Sequence, residues 1–541
     1  MKLLSVAQMR AVEKEADESG LSYKEMMQNA GEGLAAALLD EFNDEEQTLA
    51  VVGLIGSGNN GGDTLVCLDK LVEAGWSASA YIIGKREDDD PLIAALQKKE
   101  IQIVKINDDK NYKTLDAMVD QSDILLDGIL GTGVKLPLKG DVVKVLDHLS
   151  SSQSLPLVVA VDCPSGVDCD TGECAPEVLP ATLTVCMAAV KQGLLRFPAF
   201  EKVGRLIVVG IGLPEGLKSW DKSDEEVVSQ AEVERIIPPR PMTSHKGTFG
   251  TVLAVAGSIN FTGAAYLTAK AAYRIGAGLV RLAVPGPLHT ALAGQLPEVT
   301  WLILPHSTGV IAESAADILL KNLEKAKVLL MGPGFGLEDT TGDFIKRLLS
   351  EEPSQATHAP IGFLDTTEST TQNEPHESSL PTMVVDADGL KLLARVPDWP
   401  KLLPKNSVLT PHPGEMAILT GLTVKQIQSD RVKTAVKYAK AWKQVVVLKG
   451  ALTVIAAPGK GARVIPVATA ALARAGTGDV LTGIIAGLIA QGVPSYDAAT
   501  AGAWIHAHAG LEAEAFFDGP ASVLASDVLE SIPAVLSRLK G

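Results

Sequence analysis

Arg474-Ala475-Gly476-Thr477-Gly478-Asp479 is the stretch that decides the fold of the C-terminal half. The glycines precede an apolar pattern with the spacing of one helix face, formed by Val480, Leu481, Ile484, Ile485, Leu488 and Ile489. They therefore lie at a helix N-terminus, where free N–H groups and the helix dipole favour an anion such as phosphate. Asp479 can take a proton from a hydroxyl beside this anion site. Alternatively, the segment is a glycine-rich turn in which Asp479 caps the helix.

The composition narrows the class of protein. A chain of 541 residues favours about two to four domains, and 46% hydrophobic residues with 50 glycines suits an α/β protein. The formal net charge of −17 argues against nucleic acid as a partner. No apolar run is long enough to cross a membrane, and the acidic residues at 13, 15 and 17 do not suit a signal peptide. Five cysteines without a C-x-x-C pair favour a reducing cytoplasm.

Three predicted strands of the N-terminal half each run into a polar loop. The strands are 48–54, 124–126 and 157–161, and the loops carry Asn59-Asn60-Gly61-Gly62-Asp63, Asp127 with Gly131-Thr132-Gly133, and Asp162-Cys163-Pro164-Ser165-Gly166. Loops at the carboxyl ends of strands in an open α/β sheet converge on one crevice. The first loop is predicted to be one flexible turn. Together, the three loops would offer oxygen ligands to an alkali or alkaline-earth cation. Alternatively, each Asp only ends a strand or caps a helix.

These three loops resemble the NAD(P)HX epimerase family over roughly residues 1–215. That family epimerises a hydrated nicotinamide nucleotide at the carbon that bears the added hydroxyl, and it carries potassium. The resemblance implies that Asn60, Asp127 and Ser165 hold K⁺ and that Asp162 transfers a proton. It places the nucleotide against Asn59, Asn60, Gly61, Gly62, Asp63, Gly131, Thr132, Gly133, Val134, Lys135, Leu136, Pro137 and Asp162. Thr64 departs from the family pattern, which more often has a glycine there.

The C-terminal half alternates strands with helices, and each strand ends in glycine or a polar cluster, which indicates a doubly wound sheet. Residues 216–240, rich in acidic residues and then in proline, read as a linker. Residues 351–381 are polar and lack periodicity, which favours a surface insertion. No Walker-type motif occurs. His506 and His508 read as ordinary helix residues, whereas His412 lies in a proline-rich loop three residues before Glu415.

Residues 241–541 resemble the ribokinase-like NAD(P)HX dehydratase family. The resemblance rests on Lys246-Gly247-x-x-Gly250, Gly332-Pro333-Gly334-Phe335-Gly336, Thr410-Pro411-His412-Pro413-Gly414-Glu415 and Ala475-Gly476-Thr477-Gly478-Asp479. It implies that Asp479 is the catalytic base and that ADP is the phosphoryl donor, since the fused form generally uses ADP. Glu415 would orient Mg²⁺ through water. The hydrate would contact Ala264, Gly334, Gly336, His412 and Asp479, and ADP would contact Lys449, Gly450, Ala451, Leu452, Thr453 and Gly478.

We therefore predict an α/β protein of two domains, a Rossmann-like α/β/α domain followed by a ribokinase-like domain. The predicted function is nicotinamide nucleotide repair, in which R and S NAD(P)HX are epimerised and (6S)-NAD(P)HX is dehydrated to NAD(P)H at the expense of ADP. We expect NADHX or NADPHX and ADP as ligands, no nucleic acid or membrane, a homo-oligomer and a cytoplasmic location. The alternative is a ribokinase-like small-molecule kinase with a non-catalytic N-terminal binding module.

Overall fold

The computed structural model describes residues 1–42, 48–87, 89–152, 154–350 and 380–539. Contacts divide the chain into two compact units, Met1–Val227 and Val228–Gly541. The division falls within the expected linker 216–240, which carries two short helices, Lys218–Asp221 and Gln230–Ile236. The expected insertion 351–381 lies outside the described residues apart from its last two positions. Among the described residues, no helix combines the length and apolar character that a membrane span requires.

The first unit is a parallel sheet with helices packed on it. Its strands are β1 Leu3–Leu4, β2 Ala50–Ile55, β3 Ser77–Ile82, β4 Gln102–Lys105, β5 Ile124–Gly128, β6 Leu157–Val161, β7 Leu183–Met187, β8 Val190–Lys191, β9 Arg205–Val209 and β10 Glu226–Val227. Its helices are α1 Val6–Glu18, α2 Tyr23–Glu41, α3 Asn59–Glu73, α4 Pro91–Lys98, α5 Lys113–Asp120, α6 Asp141–Ser150, α7 Phe200–Val203 and α8 Lys218–Asp221.

The main sheet of this unit has the order β4-β3-β2-β5-β6-β7-β9, with every neighbouring pair parallel. Strands β2, β5 and β6 are buried almost throughout, as expected for a sheet covered on both faces. The strand order reverses direction at β2 and β5, which is where an open α/β sheet leaves a crevice at the carboxyl ends. The predicted Rossmann-like fold is confirmed.

The second unit is a larger α/β domain. Its helices are α9 Gln230–Ile236, α10 Thr262–Arg274, α11 Gly286–Leu292, α12 Ala315–Leu320, α13 Asp339–Leu349, α14 Asp388–Leu393, α15 Trp399–Leu402, α16 Pro413–Thr420, α17 Val424–Ser429, α18 Arg431–Trp442, α19 Thr477–Ala490, α20 Ser495–Phe516 and α21 Ala525–Arg538. Its strands are β11 Thr251–Val255, β12 Leu279–Pro285, β13 Thr300–Leu304, β14 His306–Ser307, β15 Val310–Ile311, β16 Val328–Met331, β17 Thr382–Val385, β18 Val408–Leu409, β19 Val445–Leu448, β20 Val454–Ala456 and β21 Ala462–Val464.

Its sheet runs in the order β21-β20-β19-β18-β17-β16-β11-β12-β13. The pairs from β19 to β13 are parallel, while β20 and β21 are antiparallel additions at one side. Helices α10 and α19 pack closely, and glycines make this possible: a Cβ on Gly483 would lie 2.4 Å from the Thr268 carbonyl oxygen. The strands β16, β17, β18 and β19 are parallel neighbours. Their carboxyl ends and the N-terminus of α19 lie at one edge of the sheet.

Candidate active sites

A cavity of about 410 Å³ lies at the carboxyl ends of β2, β5 and β6 in the first unit. Several of the predicted nucleotide-site residues line it, namely Asn59, Asn60, Asp63, Gly131, Thr132, Gly133, Val134 and Asp162. The other predicted residues are not part of this lining: Gly61, Gly62, Lys135, Leu136 and Pro137. The structure thus brings the three predicted loops together around one space.

The segment Asn59–Asp63 is not the flexible turn that its composition suggested. It forms the first turns of α3, which begins at Asn59. A Cβ on Gly61 would lie 2.2 Å from the Gly56 carbonyl oxygen, and one on Gly62 would lie 2.5 Å from the Met27 sulfur. These two glycines therefore allow the helix to pack closely, which explains why they do not line the cavity. Helix geometry holds Asn60 and Asp63 on the cavity side.

Thr64, the departure from the family pattern, fits this packing. Its side chain is fully buried, and its Oγ1 donates a hydrogen bond of 2.7 Å to the Asn60 carbonyl oxygen. Gly128 faces it from the end of β5, where a Cβ would lie 1.9 Å from the Thr64 hydroxyl oxygen. The glycine on the neighbouring strand thus makes the room that the threonine occupies.

Buried oxygen atoms gather beside the cavity. Asp127 is fully buried, and its Oδ2 accepts a hydrogen bond of 2.7 Å from the Ser165 backbone N–H. Its Oδ1 is buried and has no hydrogen-bond partner in the described part of the chain. The Asn60 amide donates to the carbonyl oxygens of Leu130 and Val161, at 3.1 and 2.7 Å, which leaves its side-chain oxygen as an acceptor. Burial raises the pKa of Asp127. This set of hard oxygen donors with one unpartnered carboxylate oxygen fits an alkali cation.

Asp162 occupies the tight corner after β6, with a left-handed φ of 65°. Its Oδ1 accepts a hydrogen bond of 2.9 Å from the Met187 N–H and a second from the Nζ of Lys191. Lys191 was not among the sequence predictions, and its side chain is buried completely. A non-glycine residue in this backbone region costs free energy, and such strain occurs mainly where function fixes a side chain.

Two more carboxyl groups face the same cavity, Glu13 from α1 and Asp63 from α3. Burial raises the pKa of Asp63 well above its usual range, and the nearby Asp162 carboxylate adds to this shift. Burial likewise raises the pKa of Glu13, although Lys191 opposes it.

Sequence reasoning missed the wall that the first two helices contribute. Arg10, Glu13, Tyr23, Met26, Met27 and Ala30 line the cavity but precede every recognised motif. It also missed Arg86, whose Nε donates to the Gly56 carbonyl oxygen at 3.0 Å and whose Nη2 donates to that of Gly58 at 3.1 Å. In the structure, Arg86 braces the glycine loop that leads into α3.

In the second unit, Asp479 lies in the first turn of α19. Gly476, whose φ is 92°, is the residue directly before this helix. Burial and the nearby Asp386 carboxylate raise the pKa of Asp479 to about 7, although Lys449 opposes the shift. A carboxyl group with this pKa can act as a general base near neutral pH. The helix N-terminus beside it presents the N–H groups of Gly476 and Gly478, whereas the Thr477 N–H donates to the Arg474 carbonyl oxygen at 3.4 Å.

Lys449 and Asp386 form a buried ion pair next to this helix N-terminus. The Asp386 carboxylate accepts hydrogen bonds from Lys449 Nζ and, at 2.7 Å, from the Thr410 hydroxyl. A Cβ on Gly478 would lie 3.4 Å from Lys449 Nζ, so the lysine lies against the glycine loop. Burial alone would lower the pKa of Lys449, but Asp386, Glu415 and Asp479 hold it above its usual value. Asp386 was not predicted as a site residue.

His412 and Glu415 form a capping box at the start of α16. The His412 Nδ1 accepts from the Gly414 N–H at 2.9 Å, and the Glu415 carboxylate accepts from the His412 N–H at 2.9 Å. Glu415 is buried, and its Oε2 lies 3.8 Å from Lys449 Nζ. No group of three or more His, Cys, Asp or Glu suited to a metal ion occurs in the described ranges.

Two of the residues predicted to contact the hydrate, Ala264 and Gly334, lie against each other. A Cβ on Gly334 would lie 2.7 Å from the Ala264 Cβ, so the Gly332–Gly336 loop packs on the first turn of α10. The Gly336 N–H donates to Asp388 at 3.0 Å, which ties this loop to the segment after β17.

The segment Lys449–Thr453 is held by contacts that the sequence did not predict. Arg431 donates through Nη2 to the carbonyl oxygens of Leu448 and Lys449, at 2.8 and 3.2 Å. Burial lowers the pKa of Arg431 to about 10. The Thr453 hydroxyl donates to the Gly450 carbonyl oxygen at 2.8 Å, which closes the turn.

Comparison with known proteins assigns both units. The model of the family described as NAD(P)H-hydrate dehydratase matches residues 252–534, and that of the YjeF-related protein N-terminus matches residues 23–193. The bifunctional NAD(P)H-hydrate repair enzyme Nnr of Moorella thermoacetica is 35% identical over 548 residues, covering 100% of this chain and 97% of the relative. The chain belongs to the family of bifunctional NAD(P)H-hydrate repair enzymes. The member from Escherichia coli is 31% identical over 534 residues, covering 98% of this chain and 92% of its own.

Within this family, the first unit is the epimerase domain and the second is the ribokinase-like dehydratase domain, as the sequence predicted. Among solved structures, the ADP/ATP-dependent NAD(P)H-hydrate dehydratase of Bacillus subtilis, co-crystallised with ATP/Mg²⁺, is 27% identical to this chain. It covers 58% of this chain and 98% of its own length, with a TM-score of 0.46. The alternative of a small-molecule kinase with a non-catalytic N-terminal module is not supported.

Proposed function

We propose that the two domains act in sequence on hydrated NAD(P)H. The epimerase cavity interconverts the two epimers, and the dehydratase site removes the added hydroxyl as phosphate and returns NAD(P)H. The observation that carries this proposal is the position of Asp479, a carboxyl group of pKa about 7 beside a glycine-rich helix N-terminus. A base and an anion site at one point suit transfer of a phosphoryl group to a hydroxyl.

In the dehydratase site, Asp479 takes the proton from the hydroxyl of the hydrate. The hydroxyl oxygen then bonds to the terminal phosphorus of ADP, and AMP leaves. The N–H groups of Gly476 and Gly478 and the Lys449 ammonium stabilise the charge on the transferring group. Cleavage of the carbon–oxygen bond then releases phosphate, and loss of a proton from the adjacent ring carbon restores the double bond of NAD(P)H.

We infer ADP as the donor because the epimerase and dehydratase domains are fused, and no single residue supports this choice. Lys449–Thr453 and Gly478 would contact the nucleotide, and Ala264, Gly334, Gly336 and His412 would contact the hydrate. Glu415 would orient Mg²⁺ through a water molecule, and Mg²⁺ would supply positive charge to the phosphates. The contact of Gly478 with the Lys449 ammonium and that of Gly334 with Ala264 support the assignment.

In the epimerase site, we assign proton transfer to Asp162, which is the carboxylate that the tight corner after β6 aims at the cavity. Potassium would be held by Asn60, Asp127 and Ser165, where it would supply a fixed positive charge. The unpartnered Oδ1 of Asp127 supports this assignment. Asp127 and Ser165 also fix the loops after β5 and β6 through their own hydrogen bonds.

The test follows the absorbance of reduced nicotinamide after the full chain receives mixed NADHX epimers, Mg²⁺, K⁺ and ADP or ATP. Wild type should recover all the NADH, Asp479→Ala none, and Asp162→Ala should recover one epimer only slowly. AMP and phosphate should form in amounts equal to the NADH recovered. If neither nucleotide supports recovery, the repair assignment is wrong. A stable phosphorylated product instead of NADH would point to a small-molecule kinase.

A further inference from the structure

Lys191 is a buried cation without a role in the proposed mechanism. It ends β8, the short strand that pairs with β1, and its side chain is 1% exposed. A buried ammonium costs several kcal/mol of desolvation unless a partner offsets it. A lysine in this position therefore needs an explanation beyond packing.

The partner of Lys191 is the carboxylate assigned to proton transfer. Its Nζ donates to Asp162 Oδ1 and, at 3.0 Å, to the Met187 carbonyl oxygen. The Met187 N–H also donates to Asp162 Oδ1, at 2.9 Å. Among the described residues, no hydrogen bond is made to Asp162 Oδ2. One carboxylate oxygen is thus fully engaged, and the other is left for a ligand in the cavity.

We propose that Lys191 is the positioning residue of the epimerase site, which holds Oδ1 of Asp162 and so turns its Oδ2 toward the substrate. This inference rests on the proposed role of Asp162. A base must point at the proton that it takes, and Lys191 fixes that direction through one contact.

The surroundings explain why the site needs this cation. Three carboxyl groups come together here, from Glu13 on α1, Asp63 on α3 and Asp162 itself. The other titratable groups that act on this cluster are Arg10 on α1, Arg86 after β3, Cys163 beside Asp162 and Cys186 on β7. Like charges that are brought together in a buried site repel one another unless a cation lies among them. Lys191 supplies that cation, and its Nζ donates a hydrogen bond to Asp162.

The experiment compares Lys191→Met, Lys191→Arg and Asp162→Asn in the full chain. Epimerisation is followed with purified (6R)-NADHX, and dehydration of purified (6S)-NADHX by the same chain serves as an internal control. Lys14→Met is the matched control, because Lys14 lies on the exposed face of α1 with its side chain 73% exposed.

We expect Lys191→Met to lower the epimerase kcat by roughly a hundredfold or more, the usual size of a general-base contribution. KM should change little, because Lys191 does not line the cavity. Lys191→Arg keeps a charged hydrogen-bond donor for Asp162, so its kcat should fall less. Lys191→Met should lower kcat no further in the Asp162→Asn background, because the lysine acts through that aspartate.

Three results would overturn the proposal. The first is a Lys191→Met variant with normal kcat, and the second is one whose KM alone rises. The third is an additive loss in the double variant. If Lys191→Met does not fold, Lys191→Arg decides, since a kcat equal to wild type would contradict positioning, whereas a fall of about tenfold at unchanged KM would support it. If Asp162→Asn keeps full epimerase activity, the proposed role of Asp162 itself is wrong.

Discussion

The two sites use the same pair of residue types in opposite ways. In the epimerase cavity, Lys191 contacts Asp162, the carboxylate assigned to the chemistry. In the dehydratase site, Lys449 contacts the neighbouring Asp386 instead, and Asp479 keeps a pKa of about 7. In the first site the lysine holds the carboxylate assigned to the chemistry, whereas in the second it pairs with a neighbour and the assigned carboxyl group has a raised pKa. The two sites therefore differ in the partner of the lysine.

The strongest test of this comparison removes the Asp479 carboxylate and leaves Asp162 in place. Asp479→Asn should lower the dehydratase kcat by about a thousandfold, because the base is lost. Epimerase activity of the same variant should be unchanged. Steady-state assays of both reactions would check this, with Asp343→Asn on the exposed face of α13 as a control. A dehydratase loss below tenfold would mean that another group takes the proton.

Replacing K⁺ by choline tests whether the epimerase has a second fixed cation besides Lys191. We expect the epimerase rate to fall by roughly 10- to 100-fold, because the unpartnered Asp127 Oδ1 would lose its cation. The dehydratase rate should stay constant, because Asp127 belongs to the first unit. Asp127→Asn should make the epimerase insensitive to K⁺. Equal rates in both salts would remove potassium from the proposal.

The pH dependence sharpens the comparison further. The dehydratase kcat/KM should rise with pH and level off above about 7, because Asp479 must lose its proton to act as a base. Asp386→Asn removes a neighbouring negative charge that raises this pKa, so the acid limb should move to lower pH. At pH 5.5 the variant should therefore retain a larger fraction of its maximal kcat/KM than wild type. An acid limb that stays in place would show that Asp386 does not set the pKa of Asp479.

The raised pKa of Asp479 should also make stability depend on pH. Because the pKa of Asp479 is raised in the folded state, the unfolded chain loses this proton first, near pH 4, and stability falls as pH rises toward 7. Asp479→Asn lacks this loss, so its stability relative to wild type should increase between pH 4 and pH 8, by up to about 4 kcal/mol. Thermal unfolding of the dehydratase domain at both pH values would measure it. A constant difference would contradict the raised pKa.

Local signals predicted much of the fold. The strands predicted at 124–126 and 157–161 lie within β5 and β6, and α19 begins at the predicted glycines. These features depend on neighbours within a few residues along the chain. The bounds of the domains and the roles of the site residues remain predictions.

Short motifs were enough to predict the two domain types, the family and the loops that carry the chemistry. The electrostatics of the two sites could be found only from the tertiary structure. Lys191 lies 29 residues from Asp162, and Lys449 lies 63 residues from Asp386, so no local pattern pairs them. The pKa of a carboxyl group depends on burial and on the nearest charge, and folding sets both by bringing distant residues into contact.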